Sequence, residues 1–406
     1  MGKLMAEQDK KSVIMIAYSN YLTDARIRRE AETLASTQEY EITVLALKNG
    51  AQRRSYTNGG VAVRELKTAK YQGKSLFRYM LSYFRFTAEA SRICYKMYSK
   101  KKIWAIHIHN IPNFLVFAAF FPRLLGGKII LDVHDSVPET FAAKFGNRGL
   151  LFKVLCLEES LSCRLANRII CVNHPQKETL VNRGIDSRKV AISMNVPAPR
   201  IFKARGNGEG RQKEADGFKV VYHGTLAKRL GLDLAIQAVA KLVPQIPGLE
   251  FYVLGSGDDK EEFQELAKTL KVDQIVHFPG MIPLEKLGDV LKGMDLGIIA
   301  NRKNIATELM LPVKMMEYIA LGIPVAASRL RAIEYYFDDE MVGYFEPESV
   351  DSLAEQILAL YRDPSRRRNQ TEKARAFLDR YGWEKHQFDL LNLYRDLSQK
   401  KENVEC

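Results

Sequence analysis

Two charged residues, Lys314 and Glu317, stand three apart in an otherwise apolar stretch, LPVKMMEYIALGIPVAAS (Leu311–Ser328). Pro312 suits the first position of a helix, where a missing N–H costs nothing. Val313–Leu321 then reads as helix, Gly322 as its cap, and Pro324 forbids continuation. The free N–H groups at such a helix start attract anions. Lys314 in the first turn opposes the helix dipole, a conflict that a bound phosphate removes. Glu317, one turn on, can accept hydrogen bonds from a sugar hydroxyl. A solvated Lys–Glu pair at i, i+3 fits the same spacing equally well.

A second candidate is HGTLAKRLGLDLAIQAVAKL (His223–Leu242). A strand ends at His223–Gly224 and a helix starts near Leu232. The loop between them, with Thr225, Lys228, Arg229 and glycines, can cradle a diphosphate. The G-K-[ST] ending of a Walker loop is absent. A polar connecting loop with no ligand has the same composition. LGSGDD (Leu254–Asp259) is read mainly as a turn. In FPGMIPLEKLGDVLKGMDLGI (Phe278–Ile298), strand, tight loop and helix follow one another, and the loop Gly280–Pro283 can offer backbone groups to a base.

In the first half, HIHN (His107–Asn110) and LDVHDSVPET (Leu131–Thr140) end strands with histidines. His134 there can hydrogen-bond a sugar hydroxyl or assist proton transfer; a histidine satisfied by Asp132, Asp135 or backbone is the structural alternative. His109 carries the same ambiguity. A metal site from His107, His109 and His134 is discounted, because no matching carboxylate pattern accompanies the histidines. SNYLTDARIRREAETLA (Ser19–Ala35) gives a polar loop and a basic helix, with Asp24 as N-cap. Arg26, Arg28 and Arg29 either meet an anionic acceptor or form a solvated face.

Short apolar strands alternating with amphipathic stretches must position these residues. VIMIAYS, ITVLALK, WAIHIHN, KIILDVHD and NRIICVN in the first half, and FKVVYHG, LEFYVLGSG, QIVHFPG, DLGIIA and PVAAS in the second, predict two α/β domains with parallel sheets. The boundaries read as 1–198 and 218–380, with a polar linker over 199–217 and a last helical stretch within 381–406 that packs back on the first domain. Ligands of such sheets sit at the carboxyl ends of the strands. The 406 residues suit two cores, and 46% hydrophobic with 27% charged residues describes a globular chain. No apolar run approaches the roughly 20 residues of a membrane span, and the basic N-terminal start leads into a first strand rather than a signal peptide. Five cysteines without paired spacing fit reduced thiols in a cytosolic protein.

The charge is lopsided. Residues 1–200 hold 32 Lys and Arg against 16 Asp and Glu, a net +16, and the remainder holds 29 against 32, a net −3. A basic half implies an anionic partner: phosphate, nucleic acid or an anionic membrane surface. The strongest local source is KSLFRYMLSYFRFTAEASRICYKMYSKKK (Lys74–Lys102), with eight Lys and Arg, one acid and seven Phe and Tyr. Phe77, Met80, Leu81, Phe84 and Ala88 share one helical face. That face is expected to pack on the sheet, leaving a basic outer face toward an anionic membrane.

Taken together, P-x-K-x-x-E-Y-x-A-x-G-x-P-V-x-A-S, HGTLAKRLGLDLAI, FPGMIPLEKL with MDLGII, DARIRREAETLA and DVHDSVPE resemble the retaining glycosyltransferases of family 4. The resemblance follows the family's order over nearly the whole chain. It implies the GT-B fold, two Rossmann-like domains facing a central cleft, and transfer of a hexose from a nucleotide-diphosphate sugar, UDP- or GDP-linked, to a glycan or lipid-linked acceptor. It implies no cofactor and no metal, and no D-x-D motif is present. Glu317 matches the glutamate that binds the donor ribose. Val313 and Lys314 lie where the helix start meets the diphosphate. Arg229, with Lys228 or Lys314, matches the basic residues that neutralise it, and Gly224 and Thr225 stand beside them. Ile282 sits where the base is met. His134 matches the active-site histidine, with Asp24, Arg26 and His109 on the acceptor side. In these terms the catalytic set is His134, Arg229 and Lys314.

The chain departs from the pattern where Leu309 replaces a glutamate expected near the transferred sugar, with Glu308 one residue away, and where Thr225 replaces an arginine. The glycine pair expected after the first strand is also missing. The expected location is cytoplasmic, peripheral on the inner membrane face, with no nucleic-acid partner. A nucleotide-sugar epimerase, a catalytically dead scaffold on this fold and a basic nucleic-acid-binding protein are the competing readings.

Overall fold

The computed structural model describes residues 10–50, 54–71, 75–100, 103–146, 149–202 and 217–399. The basic start of the chain, linker residues 203–216, Lys74, Lys101, Lys102 and Cys406 lie outside the described residues. The chain divides into two compact units, Met1–Met194 with His386–Cys406, and Asn195–Lys385.

The first unit is built on β1 (Lys11–Ala17), β2 (Tyr40–Ala46), β3 (Ser55–Asn58), β4 (Val61–Glu65), β5 (Ala105–His109), β6 (Lys128–Val133), β7 (Arg168–Cys171) and β8 (Val190–Ile192). Their spatial order is β3-β4-β2-β1-β5-β6-β7-β8. Every pairing is parallel except β3 with β4. The central strands read as continuous apolar runs because both of their faces are covered: Val13 to Ile16 are fully buried. One face carries the helix Ala25–Ser36 and the last helix, Trp383–Gln399, whose Leu390, Leu393, Tyr394 and Leu397 enter the same core as Ile27 and Leu34.

The other face carries the helix Leu76–Tyr98, a 3-10 segment Asn113–Ala119 running into a short helix Phe120–Leu124, and the helix Leu150–Leu165. Here the sequence expectation holds only in part: of the five residues expected to pack, Met80 meets the core and Leu81 is half-buried. The face of Leu76–Tyr98 that meets the core is Tyr83, Phe86, Ala90, Ile93 and Cys94. Phe77, Phe84 and Ala88, expected to pack, are exposed. This helix is apolar on two sides, so periodicity alone selects either.

The second unit comprises β9 (Phe218–Thr225), β10 (Leu249–Ser256), β11 (Val276–Gly280), β12 (Leu296–Ile299), β13 (Val325–Ser328) and β14 (Gly343–Phe345), ordered β11-β10-β9-β12-β13-β14 and parallel throughout. This is the doubly wound order, in which strand succession reverses at β9 and leaves a crevice at its carboxyl end. Two close approaches demand glycine there. Gly231, at φ +68°, lets the loop after β9 turn into the helix Leu232–Leu242; a Cβ would lie 1.8 Å from the Ala300 carbonyl oxygen. Gly297 in β12 lies under the Tyr318 ring, which a Cβ would meet at 2.3 Å.

Among the described residues no helix is long and apolar enough to cross a membrane. Cys94, Cys163 and Cys171 are buried free thiols and Cys156 is half-buried and free. Burial pushes the thiols upward, which suits them to packing rather than reactivity.

Candidate functional site

The second unit gathers its polar residues at the reversal of strand order. The helix Val313–Ala320 starts directly after Pro312, which is its N-cap rather than its first residue, and ends at Leu321 before Gly322 at φ +74°. Glu317 faces the end of β9: its Oε2 lies 2.6 Å from His223 Nε2. The other side of that imidazole is held by Tyr318, whose hydroxyl is 2.9 Å from His223 Nδ1 and accepts the His223 backbone N–H at 3.1 Å. Tyr318 is fully buried against Gly297, so β12 fixes the phenol, the phenol fixes the imidazole, and the imidazole aims the carboxylate. Gly297→Ala is expected to lower stability by about 1–3 kcal/mol, the usual cost of overpacking, and to release His223 from Tyr318. Urea unfolding and the NMR signals of the His223 ring check this; an unchanged midpoint would mean that Tyr318 finds another seat.

Lys314 is the more unusual group. Part of its stem reaches the surface, but its Nζ is shut off from solvent and has no hydrogen-bond partner. The ammonium sits 3.7 Å from the centre of the Tyr222 ring, a cation–π contact. Burial lowers its pKa from 10.5 to about 7; Glu317 opposes the shift and Arg229 adds to it. Beneath the start of this helix the structure thus buries an amine that has no hydrogen-bond partner.

Of the other residues expected to meet a donor, Gly224 and Arg229 lie near Lys314. Gly224 (φ +111°) and Thr225 are exposed, and a Cβ on Gly224 would touch Lys314 Nζ at 3.7 Å. Arg229 is exposed. Lys228 is also exposed and paired with Glu262 at 2.5 Å, a contact too solvated to hold it firmly. Ile282 is half-buried in the loop after β11, and Val313 half-buried at the helix start. Glu308 is turned to other duties: it accepts the Arg331 backbone N–H at 3.3 Å and lies 3.8 Å from Lys303. Leu309, at the position of the missing glutamate, is buried.

The first unit assembles a different cluster at the ends of β5 and β6. His134 Nε2 lies 3.0 Å from Asp132 Oδ2 and 3.2 Å from His109 Nδ1. Its side chain is 21% exposed while Asp132 is fully buried, so His134 is the member of this group that reaches solvent. Its backbone N–H is anchored by Asn110 Oδ1 at 2.7 Å. Behind it, Arg26 donates to both Asp132 oxygens, at 2.6 and 3.1 Å, and to Glu30 at 3.2 Å. Burial alone would raise Asp132, but Arg26, then His134 and His109, hold it well below the usual carboxylate range. Burial pushes Glu30 upward, with Asp132 adding to the rise. His107 stacks on His109 and meets the Tyr394 hydroxyl at 2.9 Å; burial keeps it neutral.

Two expectations are corrected by this cluster. Arg26 and His109, expected on the acceptor side, are only 5% and 1% exposed, and the guanidinium is held by two carboxylates. Of the basic helix, Arg28 pairs with Glu32 at 2.8 Å, while Asp24 caps its start by accepting from the Ile27 N–H at 3.2 Å. The reason given against a metal also fails. Glu30 and Asp132 do bring carboxylates to His107 and His109, with ligating atoms all within 4.8 Å of one another. The two carboxylates of this group are held by the Arg26 guanidinium.

His223, Tyr318 and Tyr222 carry no role in the sequence reading, and Asp132 enters it only as a residue that would satisfy His134, which it does at 3.0 Å. His223 and Asp132 had a legible signal, a polar residue at or near a strand's carboxyl end; the two tyrosines read as core.

The comparisons accord with this geometry. A family model described as "Glycosyl transferase 4-like domain" matches residues 23–195, and one described as "Glycosyl transferases group 1" matches 208–377. The chain is 26% identical over 192 residues to the phosphatidylinositol N-acetylglucosaminyltransferase GPI3 subunit of Saccharomyces cerevisiae, covering 47% of this chain and 41% of the relative. It is 26% identical over 245 residues to a D-inositol 3-phosphate glycosyltransferase of Corynebacterium urealyticum, covering 56% and 57%. The chain thus spans about half the length of the curated relatives it matches. Its fold is that of a sucrose-phosphate synthase from Thermosynechococcus elongatus (TM-score 0.77, 16% identity, 96% of this chain and 99% of that one). It is also that of Anabaena Alr3699/HepE in complex with UDP (TM-score 0.69, 13% identity, 97% and 100%). With both halves matched by family models and two parallel-sheet Rossmann-like units of the GT-B type, the chain belongs to the family 4 type of glycosyltransferases.

Proposed function

We propose that the chain moves a hexose from a UDP- or GDP-linked sugar to a glycan or lipid-linked acceptor, with retention of configuration and without a metal. The observation that carries this reading is the pairing of an unpartnered buried Lys314 ammonium with a Glu317 carboxylate fixed by His223, both at the carboxyl end of β9. The spacing suits a nucleoside diphosphate, with phosphate at Lys314 and the helix start, and ribose hydroxyls on Glu317. The base would lie against Ile282. Arg229 and Lys314 would stabilise the charge that grows on the departing diphosphate. His134, oriented by Asp132, would sit near the transferred sugar. The positive first half suits an acceptor held at an anionic surface. The relatives named above are glycosyltransferases, which sets the epimerase reading aside.

Thermal unfolding against UDP, GDP, ADP, dTDP and CMP tests the donor site, with Glu317→Ala in parallel. A ligand at about 100 times its dissociation constant adds ~2.7 kcal/mol of stability. Stabilisation by one diphosphate and its loss in Glu317→Ala are expected, and the responding ligand names the base. No stabilisation by any of the five would overturn the reading.

A further inference from the structure

The exposed large apolar residues of the first unit are not scattered. On the helix Leu76–Tyr98, Phe77, Phe84 and Tyr95 are 77%, 56% and 56% exposed, and their spacing of seven and eleven residues places them on one stripe. On the helix Leu150–Leu165, Leu150, Val154, Leu157 and Leu161 form a second exposed stripe at spacings of four, three and four. Between these helices runs the segment Asn113–Leu124, in contact with both, and it exposes Phe117, Phe120, Phe121 and Leu124. Phe114 stacks on Phe84, and Phe121 meets Tyr95 edge-on, so the first stripe is continuous with this segment, which in turn packs beside the helix that carries the second. Isolated exposed leucines are ordinary, but three adjoining elements with apolar outer faces are not.

The charge beside this face indicates its occupant. Arg78, Arg85, Arg92 and Lys96 recur at spacings of seven, seven and four, a basic stripe alongside the apolar one, and all are exposed. Lys153 and Arg164 flank the second helix and are exposed as well. The acids of these elements are engaged: half-buried Glu89 accepts the Lys67 N–H, Glu158 holds Ser162 and Asn113, and buried Glu159 pairs with Arg183. An apolar stripe bordered by cations, with its acids engaged, is the pattern of a surface that lies in an anionic lipid interface. A second copy of the chain would bring two basic stripes together, which repel.

We infer that the face formed by Leu76–Tyr98, Asn113–Leu124 and Leu150–Leu165 docks on an anionic bilayer, with Phe121, Leu124 and Leu157 entering the acyl boundary and the arginines on the headgroups. This goes beyond the transfer reading and does not depend on it. Docking by insertion differs from adsorption by charge alone in surviving salt, because apolar burial is not screened.

Flotation of the full chain with vesicles of phosphatidylcholine alone, and with about one lipid in three replaced by phosphatidylglycerol, tests this. The chain is expected to float with the anionic vesicles and to stay partly bound in high salt. Leu124→Ser and Leu157→Ser should each weaken partitioning about tenfold. Arg85→Glu with Arg92→Glu should remove the preference for anionic lipid. All four positions are exposed, and unchanged thermal unfolding with unchanged response to nucleoside diphosphates will show that fold and donor site are intact. The inference is overturned if the wild-type chain floats with neither vesicle, or if the leucine variants float as well as the parent. It is equally overturned if the chain is a dimer that the leucine variants dissociate, since a second copy would then cover the face.

Discussion

Asp132→Ala is expected to destabilise the first unit by roughly 3–5 kcal/mol, the cost of leaving a buried charge without its partner. Arg26 is 5% exposed and gives two of its hydrogen bonds to Asp132; after the substitution its remaining carboxylate is Glu30, which burial pushes toward the neutral form. Replacing both partners together, Arg26→Leu with Asp132→Ala, should recover much of the loss, because the one carboxylate left, Glu30, is pushed by burial toward its neutral form. Urea unfolding of the full chain checks both, read on the transition that His386–Gln399 and the first unit share. Equal destabilisation in the single and double variants would mean that packing, not charge, is at stake. The pH dependence gives a second readout. Asp132 titrates below its unfolded value, so its contribution is full above about pH 4 and is lost as the pH falls through the folded pKa. Glu30 works in the opposite sense: its raised pKa makes the folded chain hold a proton that the unfolded chain releases, so its contribution declines as the pH rises above the ordinary carboxylate range. Asp132→Ala should abolish the first of these trends. It should also slow transfer, because His134 loses the carboxylate that orients it.

The architecture was legible because strands buried on both faces must be written almost wholly in apolar residues, and each such run is followed by a polar residue where the strand leaves the sheet. That rule located β1, β5, β6, β9 and β12 within two or three residues, and with them His109, His134 and the loop after His223. Register and depth were not legible. DARIRREAETLA places Arg26 and Arg28 two apart, on opposite sides of a helix, so the spacing predicts that only one faces inward but does not say which. The difference arises because Asp132, over a hundred residues away, lies beneath one face of that helix. Tyr318 is a similar case. In EYIALG it reads as core, and only the absence of a side chain at Gly297 makes it a support for His223. The double-sided apolarity of Leu76–Tyr98 misled periodicity for a physical reason: one stripe faces the sheet, the other faces outward, and the pattern holds no label for either.

Lys314→Met should change stability and ligand binding in opposite directions. Without ligand the Lys314 ammonium is buried with no hydrogen-bond partner, and its pKa is lowered from 10.5 to about 7. The unfolded chain therefore holds a proton that the folded chain does not across that window, and wild-type stability should rise with pH from about 7 toward 10.5 on this account. Methionine fills similar space over Tyr222 without the desolvated charge. The variant should lack that slope and be more stable near neutral pH, by up to roughly 4 kcal/mol. A nucleoside diphosphate reverses the balance, because it supplies the missing anion and restores the proton. Binding to the wild type at pH 8 should take up close to one proton, seen as a buffer-dependent heat in calorimetry. In Lys314→Met that uptake should vanish, and affinity should fall by one to two orders of magnitude, the loss of a charge-assisted hydrogen bond of about 1.5–3 kcal/mol. A variant that is more stable yet binds diphosphate with undiminished affinity would assign Lys314 to the fold alone. A variant that is less stable without ligand would show that the ammonium has a partner after all. The expected pair, higher stability and lost binding, identifies a residue kept at a cost to the empty protein because the substrate needs it.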